Sequence, residues 1–320
     1  MNSVPITIIK DFQKLILEDR FDDALKLSTQ LIIDYPDDHK SYAVHGISNL
    51  QLYEFDEALK SIETSKDLGC SRKDFFTNMA AFNTKKGNYY YNKSDFDNSL
   101  IFFLKAIKFP SVNLASNYSN LGNCYSKLNK LNKAEASYKK SVNINPKLPA
   151  NHINLANHYL HISDYISAEK HARIAFDLDP IQHFYARTLA ESLVFQNKLD
   201  EALSIYKKLI MNDGLNLISY IDVSKTLYEL KKYDELIIFL EKNKEIANKS
   251  STLLHLLGLG HFRTGNSSDA INYILNAILI DSKDINIYKN LVLIYESIGD
   301  KDNINKFNSI IERLSSNIDN

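Results

Sequence analysis

A 34-residue period constrains this chain more than any other feature. Tyr118, Leu121, Gly122, Tyr125, Ala134, Tyr138, Ser141 and Pro146 are followed 34 residues later by His152, Leu155, Ala156, Tyr159, Ala168, Ala172, Ala175 and Pro180. A further step reaches Ala186, Leu189, Ala190, Leu193, Ala202, Tyr206, Leu209 and Gly214. Large apolar, small and turn-forming residues thus keep the same places through three successive units. Such a period marks a repeat array, in which one unit is too small to bury its apolar face alone and must stack on its neighbours.

Within a unit, the first four places are spaced i, i+3, i+4, i+7, which is one face of an amphipathic helix. The next three are spaced i, i+4, i+7 and describe a second helix. Turn-like stretches such as Lys127–Asn132 lie between them, and a Pro or Gly near the end of the unit stops the second helix. Gly122, Ala134, Ala156, Ala168, Ala202, Gly258 and Ala270 mark places where helices must approach closely. A bulkier side chain there would cost roughly 1–3 kcal/mol through overpacking.

Extending the frame predicts one domain over 5–318, with units at 5–38, 39–72, 73–114, 115–148, 149–182, 183–216, 217–250, 251–284 and 285–318. The first unit has Phe21, Ala24 and Pro36 in place; the second has Gly46, Phe55 and Ala58; the eighth has Leu257, Gly258, Ala270 and Ala277. Unit 73–114 carries about eight extra residues, which this frame puts near Lys85–Lys93. Seven of them would lengthen its helices by about two turns and keep the apolar phase. In unit 217–250, Leu236 and Asn243 replace small residues and no Pro closes the unit. That repeat is expected to be the least stable link, or a hinge. In the last unit Ile304, Phe307, Ile311 and Leu314 form one apolar stripe with polar residues elsewhere, as a C-terminal cap requires.

The small-and-large pattern, nearly complete at 115–148 and 149–182, resembles the tetratricopeptide repeat family. The resemblance implies an all-α, right-handed solenoid of about nine antiparallel helix pairs, with the first helix of each pair lining a concave face. It implies a non-catalytic protein-interaction scaffold, free of cofactors, that holds an extended peptide or a partner's helix. An alternative is a substrate-recognition module serving a separate glycosyltransferase or sulfotransferase, since related arrays accompany such enzymes.

If positions 4, 7, 8 and 11 of the first helix pack, positions 2, 6, 9 and 13 face elsewhere. Position 6 reads Lys10, Val44, Asn78, Asn120, Asn154, Thr188, Asp222, Leu256 and Asn290. Four of these nine are Asn, although Asn makes up only about a tenth of the chain. Asn is a mediocre helix former, so its recurrence in mid-helix has another origin. A side-chain amide both donates and accepts, which lets it grip a peptide backbone. Position 9 adds Asn123 and Asn157.

This arrangement resembles the asparagine ladder in the repeat domain of O-linked N-acetylglucosamine transferases. The carry-over reaches Asn78, Asn120 and Asn154, with Asn123 and Asn157 as helpers, and stops at Val44, Thr188 and Leu256. Arg187 is a candidate anchor for an acidic group. The family's carboxylate clamp for chaperone C-termini finds Asn123 and Asn154 here, but Phe184 and Thr188 stand where cations are needed. That argues against a heat-shock-chaperone C-terminus as partner. Tyr89, Tyr90 and Tyr91, with Phe96, Phe102 and Phe103 nearby, form a second candidate partner surface, because aromatics dominate interface hot spots. The competing reading is that they pack against the neighbouring repeat.

Other chemistries find little support. His152, His158, His161, His171 and His183 cluster in sequence, with His158 and His161 on one helix face, yet no HExxH or CxxC motif accompanies them. Neither a glycine-rich phosphate loop nor a GxSxG elbow occurs, so no catalytic residue is nominated. Lys plus Arg, 38, nearly balances Asp plus Glu, 39, which counts against nucleic acid as a partner. Cys70 and Cys124 are too few for a disulfide framework and lack metal-ligand spacing. No apolar run has the length of a membrane span, and the N-terminal residues have no basic leader. A cytoplasmic location is the resulting expectation.

Overall fold

The computed structural model describes residues 3–110, 113–212 and 216–316. Gly214, the turn residue of the sixth unit, and the end of the last unit lie outside them. All regular structure among the described residues is helical, in nineteen helices. The chain divides into two compact units, Met1–Ile162 and Ser163–Asn320.

The first unit contains α1 (Ile6–Leu17), α2 (Phe21–Asp34), α3 (His39–Gln51), α4 (Phe55–Asp67), α5 (Arg72–Asn92), α6 (Phe96–Ala106), α7 (Leu114–Lys127), α8 (Leu131–Ile144) and α9 (Pro149–His161). The second contains α10 (Tyr165–Leu178), α11 (His183–Phe195), α12 (Leu199–Asn212), α13 (Leu217–Glu229) and α14 (Tyr233–Lys242). It continues with α15 (Lys244–Ala247), α16 (Ser251–Arg263), α17 (Ser267–Ile280), α18 (Ile285–Ile298) and α19 (Lys301–Ser316). Within each unit, helices joined by short turns pack as hairpins, and each hairpin packs on the next.

One backbone device makes every hairpin. Within the units, a residue in the left-handed region separates the two helices at Asp19, Tyr53, Ser94, Asn129, Asn197, Lys231, Gly265 and Gly299. The following N–H then reaches five residues back, as from Arg20 to the Leu15 carbonyl (2.9 Å) and from Asp95 to that of Tyr90 (3.0 Å). This Schellman-type ending satisfies carbonyls that the helix end leaves open. From Asn197 to Gly299 these residues recur every 34. Between Tyr53 and Ser94 the interval is 41, seven more than 34; between Ser94 and Asn129 it is 35, one more.

Close approach of helices sets the same register. A Cβ on Gly46 would meet Ile62 at 3.1 Å, on Gly87 Phe103 at 2.8 Å, on Gly122 Tyr138 at 2.5 Å and on Gly258 Ile274 at 2.6 Å. Each pair is sixteen residues apart. Gly87, not Ala80, therefore holds the close-contact position of the third repeat. The seven extra residues are two turns at the N-terminal end of α5, before Gly87, rather than an insertion near Lys85–Lys93. With 21 residues against 13 in α3, α5 absorbs them all. Ser71 starts it early: its hydroxyl accepts the Asp74 N–H (3.1 Å) and donates to the Asp74 carboxylate (2.6 Å).

The alanines of the repeat sit where predicted and are fully buried: Ala24, Ala58, Ala134, Ala168, Ala202 and Ala270 each have 0% exposure. The seventh repeat departs from this rule. Leu236 occupies the alanine position, also at 0% exposure, and the small residue has moved to the next repeat, where a Cβ on Gly260 would lie 3.4 Å from Leu236. Its second helix, α14, ends after ten residues at Asn243, whose side chain donates to the Phe239 carbonyl (2.8 Å).

Candidate functional site

The first helices of the third, fourth and fifth repeats, α5, α7 and α9, lie in the first unit and carry most of the expected amides. Asn120 and Asn123 are on α7, Asn154 and Asn157 on α9, and all four are half-buried. Asn78 lies in the extra turns of α5. The register set by Gly87 gives position 6 of that repeat to Lys85 and position 9 to Asn88, so Asn78 is not the counterpart of Asn120. Asn78 instead lines a mainly apolar cavity of about 430 Å³ with Phe12 on α1 and Val44 and Ile47 on α3.

In the corrected register, Asn88, Asn123 and Asn157 share position 9 on three successive first helices. The Asn120 side-chain amide donates to Asn88 Oδ1 at 3.4 Å, and both border a recess of about 40 Å³ with Asn123, Tyr91 and Phe103. The Tyr138 hydroxyl donates to Asn123 Oδ1 (2.7 Å), which turns the Asn123 NH₂ into a donor with a fixed direction. Among the described residues, the side-chain amides of Asn154 and Asn157 have no hydrogen-bond partner. Lys85, at position 6, donates to Gln51 Oε1 (2.9 Å) and lies 4.7 Å from the centre of the Tyr53 ring. Asn88 was hidden by the frame beginning at 73. The recurring sixteen-residue interval from Gly to a large residue, Gly122 to Tyr138 and Gly87 to Phe103, is the signal that finds it.

Arg187 belongs to the second unit. Its Nε lies 3.0 Å from Asp222 Oδ2, joining α11 to α13. Burial pushes the Asp222 carboxyl up and the guanidinium opposes that shift. The cation is therefore already engaged within its own unit. The three tyrosines are half-buried and packed on other rings. Tyr89 lies 5.3 Å from Phe55 and 5.7 Å from Tyr53, Tyr90 stacks flat on Phe102 at 5.5 Å, and Tyr91 meets Phe96 at 5.3 Å. Tyr89 joins the third repeat to the second, while Tyr90 and Tyr91 hold α6 against α5 within the third.

His152 and His158 serve packing, while His161 is exposed. His152 Nε2 is 2.9 Å from the Pro146 carbonyl. His158 is buried between Tyr138 and Tyr159, with ring centroids at 5.5 and 5.9 Å, and neither ring nitrogen has a partner. Burial holds its pKa below the usual imidazole value. Among the described residues no three His, Cys, Asp or Glu side chains gather as a metal site would need. Burial also pushes the Cys124 thiol up, against a 3.2 Å contact with Ser99 Oγ. No helix among the described residues is long and apolar enough to cross a membrane.

Residues 115–148, which form α7 and α8, match the tetratricopeptide repeat family model. No curated protein sequence matches the chain. Among solved structures, PilF of Pseudomonas aeruginosa has a TM-score of 0.54 at 13% identity, over 70% of this chain and 98% of its own. YrrB, described as a TPR protein with an unusual peptide-binding site, has a TM-score of 0.49 at 19% identity, over 59% of this chain and 96% of its own. MamA from Desulfovibrio magneticus RS-1 has a TM-score of 0.49 at 14% identity, over 54% and 97%. Residues 115–148 thus form a tetratricopeptide repeat, and the likeness to PilF is one of fold.

Proposed function

We propose that the chain is a non-catalytic, cytoplasmic scaffold that holds an extended peptide of a partner protein across α7 and α9, with Asn88 of α5 at one end of the contact. One observation carries this reading: a row of half-buried amides recurs at positions 6 and 9, and those of Asn154 and Asn157 have no hydrogen-bond partner among the described residues. Helix propensity does not favour Asn there, and of these amides the core engages Asn123, through the Tyr138 hydroxyl. An amide can donate to a peptide carbonyl and accept from a peptide N–H, so the row suits backbone recognition with little demand on side chains. Arg187 and the tyrosines Tyr89, Tyr90 and Tyr91 are left out of this surface, because the protein's own groups already occupy them.

The test is selection of peptides from a random display library on the immobilised full chain, followed by titration of a recovered peptide. Asn120→Ala, Asn154→Ala and Asn157→Ala together should weaken it by about tenfold or more, since each lost hydrogen bond is worth about 0.5–1.5 kcal/mol. Unchanged affinity in a folded triple variant would reject the amide row.

A further inference from the structure

The third repeat departs from the later repeats at one further place. Position 7 of the first helix is a core position from the fourth repeat onward, where Leu121, Leu155, Leu189, Val223, Leu257 and Leu291 are at most 2% exposed; the first two repeats carry Asp11 and His45 there. With the register fixed by Gly87, that position in the third repeat is Lys86. Among the described residues Lys86 has no carboxylate partner. Its ammonium lies instead near the centres of three rings, 5.1 Å from Phe55, 5.6 Å from Phe82 and 5.1 Å from Phe102. Lys105 lies 5.0 Å from the same Phe102 ring.

Lys86, Lys105 and Lys108 border a cavity of about 380 Å³ whose apolar lining includes Phe82, Phe102 and Phe109. Met79 also lines it, so the two extra turns of α5 build one wall. The single carboxylate at its edge is Glu63, and no ion pair joins it to the lysines among the described residues. A ring face attracts an ammonium but carries no net charge. Three positive charges against one negative leave this cavity at +2 (3 − 1), in a chain whose overall charge is −1.

We propose that this cavity binds an acidic peptide segment of a partner protein. A bulky apolar side chain of the segment seats against the phenylalanines while neighbouring carboxylates meet the three ammoniums in charge-assisted hydrogen bonds. Lys86 is the fixed member, held by its rings; Lys105 and Lys108 are exposed and close on the segment. This surface shares no residue with the amide row and stands or falls independently of it.

The experiment is fluorescence anisotropy on the full chain with a fluorescein-labelled decapeptide of Asp and Glu around one central Phe. Its counterpart replaces every Asp and Glu with Asn and Gln. The acidic peptide should bind, the neutral one should not, and added salt should weaken the complex. Lys105→Glu with Lys108→Glu should weaken it at least about tenfold, because exposed charges are reversed without disturbing the core. Lys86→Met, which keeps the apolar stem, should weaken it as well. Asn154→Ala with Asn157→Ala should leave it unchanged. Absence of binding, equal affinity for both peptides, or indifference to the lysine variants would overturn the proposal. So would loss of binding in the asparagine variant, which would assign the peptide to the amide row. A single-stranded DNA decamer bound more tightly through the same lysines would also overturn it, by making the cavity a nucleic-acid surface.

Discussion

Gly87 faces the Phe103 ring so closely that a Cβ on it would lie 2.8 Å away, the same contact that Gly122 makes with Tyr138 at 2.5 Å. These contacts fix the register of the array, and they make a simple prediction. Gly122→Ala pushes a methyl group into an aromatic ring and should lower stability by about 1–3 kcal/mol. Urea midpoints compared with wild type check it; an unchanged midpoint would show that Tyr138 can move aside freely.

Lys231 is a long side chain held at φ 57°, in the left-handed region. That conformation costs a non-glycine residue roughly 1–2 kcal/mol, while glycine adds back about 0.5–1 kcal/mol of chain entropy. Lys231→Gly should therefore raise the thermal midpoint slightly, and a fall would contradict the turn geometry.

The turns and the alanine positions were legible in the sequence because each follows from spacing alone. The place of the extra residues in the third repeat was not. Ala80 and Gly87 are seven apart, two full turns, so both present a small residue to the same face of α5. The same ambiguity set Asn78 where Lys85 belongs and hid Asn88. Periodicity can count added turns, but only the contact of Gly87 with Phe103 shows at which end of the helix they lie. The lysine in the core position, Lys86, was invisible for the same reason.

His158 carries two ring nitrogens without partners in a buried site, and burial depresses its pKa below the ordinary 6.5. A depressed imidazole stays neutral when folded and takes up a proton on unfolding. Its contribution is therefore intact above pH 6.5 and is lost as pH falls below that value. His158→Phe should raise stability by about 1 kcal/mol at pH 7, since an unsatisfied buried polar group costs about 1–3 kcal/mol. The gain should be larger at pH 5, and denaturation curves at both values decide it.

Glu169 shows a linkage of the same sign at lower pH. Burial disfavours its charge, but hydrogen bonds from Arg173, Lys198 and Gln196 outweigh burial and bring its pKa down to about 2. Its stabilisation is fully present above pH 4.5 and is lost as pH falls toward 2. Glu169→Gln should flatten the acid limb of the stability curve in that window, and an unaltered limb would remove the network from the account.

The seventh repeat, with α14 ending at Asn243 and only the four-residue α15 beyond it, has the shortest second helix of the second unit. Amide exchange across Tyr233–Ser250 should be faster than across Ser267–Ile280, because fewer buried turns protect it. Equal protection would mean that Leu236 against Gly260 restores the packing that the repeat pattern lacks.

The amide row is tested most directly by affinity capture from native lysate with quantitative mass spectrometry, comparing wild type with a folded Asn120→Ala, Asn154→Ala, Asn157→Ala variant. Partners recovered by wild type and depleted at least about tenfold by the variant are the predicted result, each lost hydrogen bond contributing about 0.5–1.5 kcal/mol. Equal recovery of every partner by both would contradict peptide binding on this face.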